Sequence, residues 1–260
     1  MDNKVVEKKL CLLRQLLQKY GEFIVAYSGG VDSSLLLTII SEMNINNKVL
    51  AVIVYSPTMF KSELKDAIDF VKNMRIKYKV VRINLLNIDK IKNNNKYRCF
   101  YCKEKIFSIC RKIGNRNNIT NIIDGSNYDD LFEFRPGKKA AEIYNIQSPL
   151  QEVGLTKDEI RYILKKIGND IWRKESNTCL LTRFPENYVI EKKEIKKLEK
   201  LENFIRNIYR FERLRLRVKG YKKIYIEISE NDKVLFQNRD IKKIIFNKIR
   251  KEGFIPVIQE

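Results

Sequence analysis

An apolar segment that ends in a glycine-containing turn most constrains what this chain can fold into. Residues 23–27 are all apolar, the turn Ser28-Gly29-Gly30 follows, and an apolar stretch begins at about residue 33. This order predicts a buried strand, a tight turn and a helix. Glycine lets a ligand approach the backbone, and the N terminus of a helix attracts anions. We therefore predict a phosphate-binding loop over residues 28–34, although a turn whose small residues serve packing alone has the same pattern.

Asp32 lies inside this loop, where its carboxylate is placed to hold a magnesium ion that bridges phosphate oxygens. The loop lacks the G-x-x-x-x-G-K-[ST] pattern of kinases and GTPases. Its sequence therefore does not favour phosphoryl transfer as the first hypothesis.

Apolar and helical stretches alternate along the first two thirds of the chain. Strands are predicted at about residues 23–27, 48–55, 78–83 and 120–124, with helices near 33–43, 61–76 and 102–113. This alternation predicts an α/β fold with a doubly wound parallel sheet. Ligands of such sheets bind beyond the carboxyl ends of the strands. The residues that we predict to bind the nucleotide at this edge are Ser28, Gly29, Gly30, Asp32, Ser33, Ser34, Ser56, Asp124 and Gly125.

The composition excludes several kinds of chemistry. The chain has 260 residues, a net charge of +20 and no histidine. Imidazole catalysis and ligation are therefore excluded, and carboxylates, lysines, arginines and thiols remain. The positive charge favours a polyanionic partner or substrate, or forms only a solvated lysine-rich surface. No apolar run is long enough to span a bilayer and no secretory segment is evident, so we expect a cytoplasmic protein without a membrane partner.

The sequence becomes more densely basic after Pro185. We therefore predict two domains, residues 1–185 and 186–260. The second is expected to be a small, basic α+β domain with helices at about 191–209 and 239–251 and strands at 214–218, 224–228 and 254–257. Alternation along its first strand places Arg213, Arg215 and Arg217 on one face. Such a row suits a phosphate or a carboxylate, although a solvated strand face has the same pattern.

Three of the five cysteines are candidates for metal or sulfur chemistry. Cys11 and Cys110 lie in apolar helical runs and are expected in the core. Cys99 and Cys102 form a C-x-x-C pair among cations that favour the thiolate, and Cys179 lies in a polar stretch. A four-coordinate zinc site would lack its fourth ligand. An iron–sulfur cluster held by three cysteines fits the count better.

Taken together, these segments resemble the LarE family of ATP-dependent sulfur transferases, one branch of the PP-loop ATP pyrophosphatases. The likeness is closest between residues 22 and 185 and rests on an ordered set of motifs. They are SGGVDSS at 28–34, YRCFYCK at 97–103, DGSNYDD at 124–130, RPG at 135–137, QSPL at 147–150, GLTKDEIR at 154–161, WRK at 172–174 and CLLTRFP at 179–185.

The resemblance implies a step in making the nickel-pincer nucleotide cofactor of lactate racemase. ATP would adenylate a carboxylate of pyridinium-3,5-biscarboxylic acid mononucleotide, AMP would leave, and sulfur would enter as a thiocarboxylate. Some members sacrifice a single cysteine at the position of Cys179. Others carry a four-iron four-sulfur cluster on three cysteines, and Cys99, Cys102 and Cys179 match that pattern. The family also suggests a homo-oligomer, whereas the sulfide donor is not evident from the sequence.

With this substrate, a small anionic nucleotide, the basic residues gain specific expected roles. Arg183, Arg215 and Arg217 are expected to hold its phosphate and its unreacted carboxylate, and Glu227 is included in this substrate site. The residues expected to be catalytic are Asp32 in the adenylation and Cys99, Cys102 and Cys179 in the sulfur transfer.

Two other functions compete with this one. A tRNA thiolase of the PP-loop superfamily would fit the positive charge and the three cysteines, but thiolases usually have lysine where Val31 stands, and residues 186–260 form no recognisable RNA-binding module. We therefore do not expect a nucleic-acid partner. A non-enzymatic iron–sulfur or nucleotide-binding protein would keep the loop only to bind ATP.

Overall fold

The computed structural model describes residues 2–133, 135–175, 178–209, 211, 213–220 and 222–257. The chain forms two compact units. The first comprises Met1–Ser56, Lys61–Ile83 and Tyr97–Asn177, and the second comprises Pro57–Phe60, Asn84–Lys96 and Thr178–Glu260. The predicted division into domains of residues 1–185 and 186–260 stays a prediction.

A parallel four-stranded sheet organises the first unit. Its strands are β1 (Phe23–Ala26), β2 (Val49–Tyr55), β3 (Lys77–Arg82) and β4 (Asn121–Ile123). Their spatial order is β3-β2-β1-β4, with Phe23 of β1 paired to Val49 on one side and to Asn121 on the other. Each strand lies within one residue of its predicted bounds. The predicted α/β class with a parallel sheet is confirmed.

Helices precede, separate and follow these strands along the chain. They are α1 (Asn3–Lys19), α2 (Val31–Glu42), α3 (Lys61–Asn73), α4 (Asp89–Lys92), α5 (Arg98–Arg116), α6 (Gly137–Ile143), α7 (Pro149–Glu152), α8 (Lys157–Lys166), α9 (Lys192–Tyr209), α10 (Lys233–Gln237) and α11 (Arg239–Lys251). Helices α4, α9, α10 and α11 belong to the second unit. None of the helices in the described ranges combines the length and apolar character needed to cross a bilayer.

Helices cover both faces of the parallel sheet. Phe23 and Val25 pack into one apolar cluster with residues of α1, α2, α3 and α8. Ile24 packs into a second cluster with Cys110 and Ile113 of α5. Successive strand residues point to opposite faces, so a sheet covered on both sides requires the continuous apolar run seen in β1. This arrangement confirms the doubly wound architecture.

The second unit contains a small mixed sheet. Its strands, β5 (Leu214–Lys219), β6 (Lys223–Ile228) and β7 (Ile255–Val257), lie in that order, with β5 antiparallel to β6 and β6 parallel to β7. Leu214, Leu216 and Val218 are buried, whereas Arg215 and Arg217 are partly exposed. The predicted alternation along β5 is therefore confirmed.

The two cysteines expected in the core differ in burial. Cys110 is fully buried against the sheet, as predicted. The prediction for Cys11 is wrong, because its side chain is exposed. The buried stripe of α1 is Val6, Leu10, Leu13 and Leu17. Cys11 follows Leu10 by one residue, which turns it about 100° around the helix and away from that stripe.

This difference predicts unequal effects of two matched substitutions. Cys110→Ala should lower the free energy of unfolding by about 1 kcal/mol or more, because it leaves a small cavity in the core. Cys11→Ala should change it by less than about 0.5 kcal/mol. Urea unfolding of both variants measures the two values, and an equal loss would contradict the burial of Cys110.

Candidate active site

The predicted phosphate loop connects β1 to α2 at the carboxyl edge of the parallel sheet. Gly30 is the N-cap residue of α2, and among the described residues no side chain caps this helix. The hydroxyl group of Ser33 donates to the carbonyl oxygen of Gly30 at 3.2 Å and lies 3.1 Å from the hydroxyl of Ser28. The serines thus hold the turn, while the N–H groups of the first helical turn are placed to bind an anion.

Two glycines allow backbone packing where a side chain would not fit. Gly29 has a φ of +75°, and a Cβ atom on it would lie 2.9 Å from the Cβ atom of Ala67. A Cβ atom on Gly125 would lie 2.7 Å from the backbone nitrogen of Ser33. The backbone that follows β4 therefore packs directly on the first turn of α2.

Asp32, the predicted magnesium ligand, lies partly buried on the first turn of α2. The side-chain amide of Asn127 donates to it at 3.0 Å, and Asn127 forms a capping box with Asp130. Burial raises the pKa of Asp32, the hydrogen bond from Asn127 lowers it, and the charge of Asp130 raises it, so the pKa lies above its ordinary value. A divalent cation would favour the ionised form. Magnesium is held by one or two carboxylates together with substrate phosphates, so Asp32 fits this ion.

Asp124 is a buried and well-hydrogen-bonded carboxylate at the end of β4. It accepts from the backbone N–H of Ser126 at 3.0 Å and from the hydroxyls of Ser126 and Ser148 at 2.9 and 2.8 Å. The ammonium group of Lys103 lies 3.3 Å away. Burial alone would raise the pKa of Asp124, but the Lys103 charge and these hydrogen bonds outweigh it and lower the pKa. Asp124 therefore stays ionised and orders the residues around it.

The remaining predicted nucleotide-binding residues lie at the same edge. Ser56 follows β2 and is buried, and Ser34 is buried where its hydroxyl contacts that of Tyr27 at 2.9 Å. The loop after β1, Ser56 after β2 and Asp124 after β4 thus follow three neighbouring strands.

Lys174 is a residue of this site that sequence analysis did not assign. Its ammonium group donates to the carbonyl oxygen of Gly29 at 3.0 Å and lies 3.6 Å from a carboxylate oxygen of Asp66. An ammonium group is positively charged and can donate three hydrogen bonds. Because it contacts Gly29, Lys174 brings a positive charge to the phosphate loop. Its motif offered a signal, but 145 residues separate Lys174 from Gly29, so no local pattern links them.

Cys99 and Cys102 lie near the N terminus of α5, which begins at Arg98 rather than at the predicted residue 102. The helix starts earlier because the backbone N–H groups of Phe100 and Tyr101 already bond to the carbonyl oxygen of Tyr97. Cys99 is exposed and Cys102 is partly exposed. Their spacing of three residues places both on one side of the helix, as two ligands of one metal site require.

Cys179 lies in the second unit, at the N-cap of the 3-10 turn Leu180–Arg183, and it is exposed. Its sulfur lies 3.4 Å from the carbonyl oxygen of Thr58, and the N–H of Leu180 donates to the same oxygen at 3.0 Å. Throughout the described ranges, no three side chains of cysteine, aspartate or glutamate are grouped so that they could hold a metal ion. Cys99 and Cys102 belong to the first unit and Cys179 to the second, and a cluster on all three stays a prediction.

Arg183 is fully buried and orders the Cys179 turn. Its guanidinium group donates to both carboxylate oxygens of Glu202, at 2.7 and 3.1 Å, and to the hydroxyl of Thr178 at 2.7 Å. Glu202 also accepts from the backbone N–H of Leu216 at 2.9 Å. In this position Arg183 connects the turn to α9 and β5 and presents no exposed surface to a substrate.

The arginine row on β5 converges on one carboxylate. Glu227 of β6 accepts from Arg213 at 2.6 Å, from Arg215 at 3.3 Å and from Arg217 at 2.6 Å. Burial alone would raise the pKa of Glu227, but the hydrogen bond from Arg217 and the arginine charges lower it. Arg217 also donates to the carbonyl oxygen of Thr182 at 2.6 Å. Three cations against one anion leave this surface positively charged.

The chain is similar in sequence to one protein family and to several known proteins. Residues 5–105 match the NAD synthase family. An uncharacterized protein of Methanocaldococcus jannaschii is 37% identical over 253 residues, which cover 96% of this chain and 94% of that protein. An uncharacterized protein of Synechocystis is 30% identical, covering 87% and 80%. The pyridinium-3,5-bisthiocarboxylic acid mononucleotide synthase of Lactiplantibacillus plantarum is 27% identical over 184 residues, covering 71% and 67%.

The raised pKa of Asp32 predicts opposite effects of Asp32→Asn on activity and on stability. The variant should lose pyrophosphate release, because the metal-facing charge is gone. Its melting temperature at pH 7, without nucleotide or magnesium, should rise by about 1–3 °C, since the buried charge no longer opposes folding. A carboxyl with a raised pKa contributes stability that is present at low pH and lost as the pH rises through that pKa. The gain over the wild type should therefore shrink toward pH 4.

Asp170→Asn is the matched control, because the Asp170 side chain is 86% exposed. It should change neither activity nor melting temperature. Pyrophosphate release by Asp32→Asn at the wild-type rate would contradict the assignment of Asp32.

Proposed function

The chain belongs to the LarE-type family of PP-loop ATP pyrophosphatases, and from this we propose that it is an ATP-dependent sulfurtransferase of nickel-pincer nucleotide biosynthesis. Its acceptor would be pyridinium-3,5-biscarboxylic acid mononucleotide, and its product the corresponding thiocarboxylate. The observation that carries the proposal is the uncapped start of α2 beside Asp32 and Lys174, in a chain homologous to a synthase of the bisthiocarboxylic acid mononucleotide.

The first half of the reaction needs no protein nucleophile. A carboxylate oxygen of the acceptor attacks the α-phosphorus of ATP, the bond between the α-phosphorus and the bridging oxygen breaks, and pyrophosphate leaves. Negative charge builds on the leaving pyrophosphate. The N–H groups at the start of α2 and the ammonium group of Lys174 would stabilise it. Asp32 would hold the magnesium ion, which supplies further positive charge to the phosphate oxygens.

The second half needs a sulfur nucleophile. A carbon–sulfur bond forms at the acyl-adenylate, the bond from that carbon to the AMP oxygen breaks, and AMP leaves. We propose that Cys99, Cys102 and Cys179 hold an iron–sulfur cluster through which this sulfur is delivered. The accessible pair on α5 supports two ligands of a four-iron four-sulfur cluster, and Cys179 would be the third. Such a cluster would supply inorganic sulfide from an external donor.

Arg215 and Arg217 are proposed to bind the phosphate of the acceptor, because the arginine row retains a positive surplus over Glu227. Arg183 would act as a positioning residue for the Cys179 turn, since its guanidinium group is buried with Glu202. A cytoplasmic location and a homo-oligomer remain predictions.

Acceptor-dependent pyrophosphate release tests the proposed function. Purified protein with ATP and magnesium should release pyrophosphate when the pyridinium dicarboxylate mononucleotide is added, and not when bulk tRNA is added. Stimulation by tRNA alone would favour the thiolase, for which the net charge of +20 is the supporting observation. ATP binding without turnover under both conditions would favour a binding protein.

Replacing both arginines separates a substrate site from a solvated strand face. Arg215→Ala with Arg217→Ala should raise the KM for the acceptor at least tenfold, since each charge-assisted contact contributes roughly 1.5–3 kcal/mol. The KM for ATP should change less than twofold. Arg239→Ala serves as the control, because Arg239 is exposed at the start of α11. An equal change in both KM values would show that the arginines only support the fold.

Iron content tests the sulfur route. Protein prepared without oxygen should be brown and hold about four irons per chain. Replacing Cys99, Cys102 or Cys179 singly by alanine should remove the iron and stop thiocarboxylate formation, while acceptor-dependent pyrophosphate release persists. Cys11→Ala is the control and should keep both. Iron-free anaerobic protein, with Cys179 lighter by one hydrogen sulfide after turnover, would establish the sacrificial route instead.

A further inference from the structure

A cavity of about 560 Å³ lies beside the carboxyl end of β4 in the first unit. We call it the β4 cavity. Its walls come from the start of α5, the segment after β4 and helix α6, and they include Cys99, Lys103, Asp124, Lys138, Ala141 and Glu142. Sites for small molecules typically enclose roughly 300–1,000 Å³. The phosphate loop does not line this cavity, so nucleotide binding at the loop does not fill it. Cys99 places the proposed cluster at one wall, and the rest of the cavity has no assigned occupant.

The β4 cavity adjoins the phosphate loop. Asp124 and Ser126 line it, and Gly125 between them packs on the backbone of Ser33 at the start of α2. A molecule in the cavity would therefore lie one backbone segment away from a nucleotide at the loop. That is the position an acceptor of the adenylyl group has to occupy.

Some charged side chains of the cavity are paired within its wall, whereas two others are not. Two cations are neutralised within the wall, in the pairs Lys103–Asp124 at 3.3 Å and Arg135–Asp130 at 2.8 Å. Lys138 and Glu142 lie one turn apart on α6, and among the described residues neither forms an ion pair within 4.0 Å. They offer one positive and one negative group to a ligand.

The uncharged part of the lining is mixed, with polar side chains from Ser126, Asn145, Ser148 and Gln151 beside an apolar wall. Pro136, Ala141 and Ile146 contribute surface that suits the face of a flat ring. We propose that the β4 cavity binds an aromatic ring that carries both a positive charge and carboxylates, with Lys138 contacting a carboxylate and Glu142 facing the ring cation. This inference rests on the proposed function and assigns the ring of the acceptor to this cavity.

Two substitutions on α6 separate the two contacts. Lys138→Ala should raise the KM for the pyridinium dicarboxylate mononucleotide in pyrophosphate release at least tenfold, and the KM for ATP less than twofold. Pyridine-3,5-dicarboxylate, whose ring is uncharged, should inhibit competitively with the acceptor. Lys138→Ala should weaken this inhibition, whereas Glu142→Gln should weaken acceptor binding alone. Lys139→Ala is the control, since this exposed neighbour does not line the cavity.

Filling the cavity gives an independent result. Ala141→Trp should abolish acceptor-dependent pyrophosphate release while ATP still binds; if this variant does not fold, Lys138→Ala decides. Unchanged acceptor KM in Lys138→Ala, with an active wild type, would overturn the inference and leave the proposed function standing. Wild-type protein that releases no pyrophosphate with the acceptor would instead overturn the proposed function, and this inference with it.

Discussion

The candidate site depends on the direct packing of the Gly125 backbone on the first turn of α2. A Cβ atom on Gly125 would lie under 3.0 Å from three atoms of Ser33, two of them backbone atoms that cannot move without displacing the helix. The absence of a side chain therefore brings the segment after β4 against the phosphate loop. From that segment, Asn127 reaches Asp32, and Asp124 holds Lys103. The close approach of Gly125 to Ser33 thus positions the Asn127–Asp32 contact and the Asp124–Lys103 contact beside the phosphate loop.

In the second unit, a buried ion pair orders the turn that carries the thiol of Cys179. Arg183 and Glu202 are both fully buried, and an ion pair without access to water is costly unless its hydrogen bonds are satisfied. The hydroxyl of Thr178 and the backbone N–H of Leu216 complete the network around this pair. The resulting pair specifies one arrangement of the Cys179 turn. Breaking the pair would leave an unpaired buried charge. We therefore expect the Cys179 turn to be rigid, although the thiol of Cys179 is exposed.

Local patterns in the sequence predicted the elements well and the contacts between distant elements poorly. The continuous apolar run of β1 and the alternation along β5 both act within a few residues, and both are confirmed. Cys11 was misplaced because an apolar neighbourhood does not reveal which side of α1 faces the core. The contact of Lys174 with Gly29 depends on the tertiary fold, which no local spacing encodes.

The burial of Arg183 is a second feature that local sequence patterns did not predict. The anionic substrate implied by the family resemblance suggested that Arg183 is a substrate ligand, whereas the structure places its guanidinium group on Glu202. A row of arginines predicted an anion site, but the carboxylate of Glu227 lies on the neighbouring strand, directly opposite Arg215. The pairing register, which the sequence alone does not supply, decides how much charge the row retains.

Asp32 and Asp124 have pKa values shifted in opposite directions because their surroundings differ. Although burial alone would raise the pKa of Asp124, the Lys103 charge and the hydrogen bonds lower it, so the ionised form of Asp124 is favoured. Asp32 has a single amide donor, a second carboxylate nearby and a raised pKa. Burial therefore disfavours the ionised form of Asp32, which a cation would favour. Asp124 orders the residues at this edge, whereas Asp32 is the carboxylate that we propose to hold the magnesium ion.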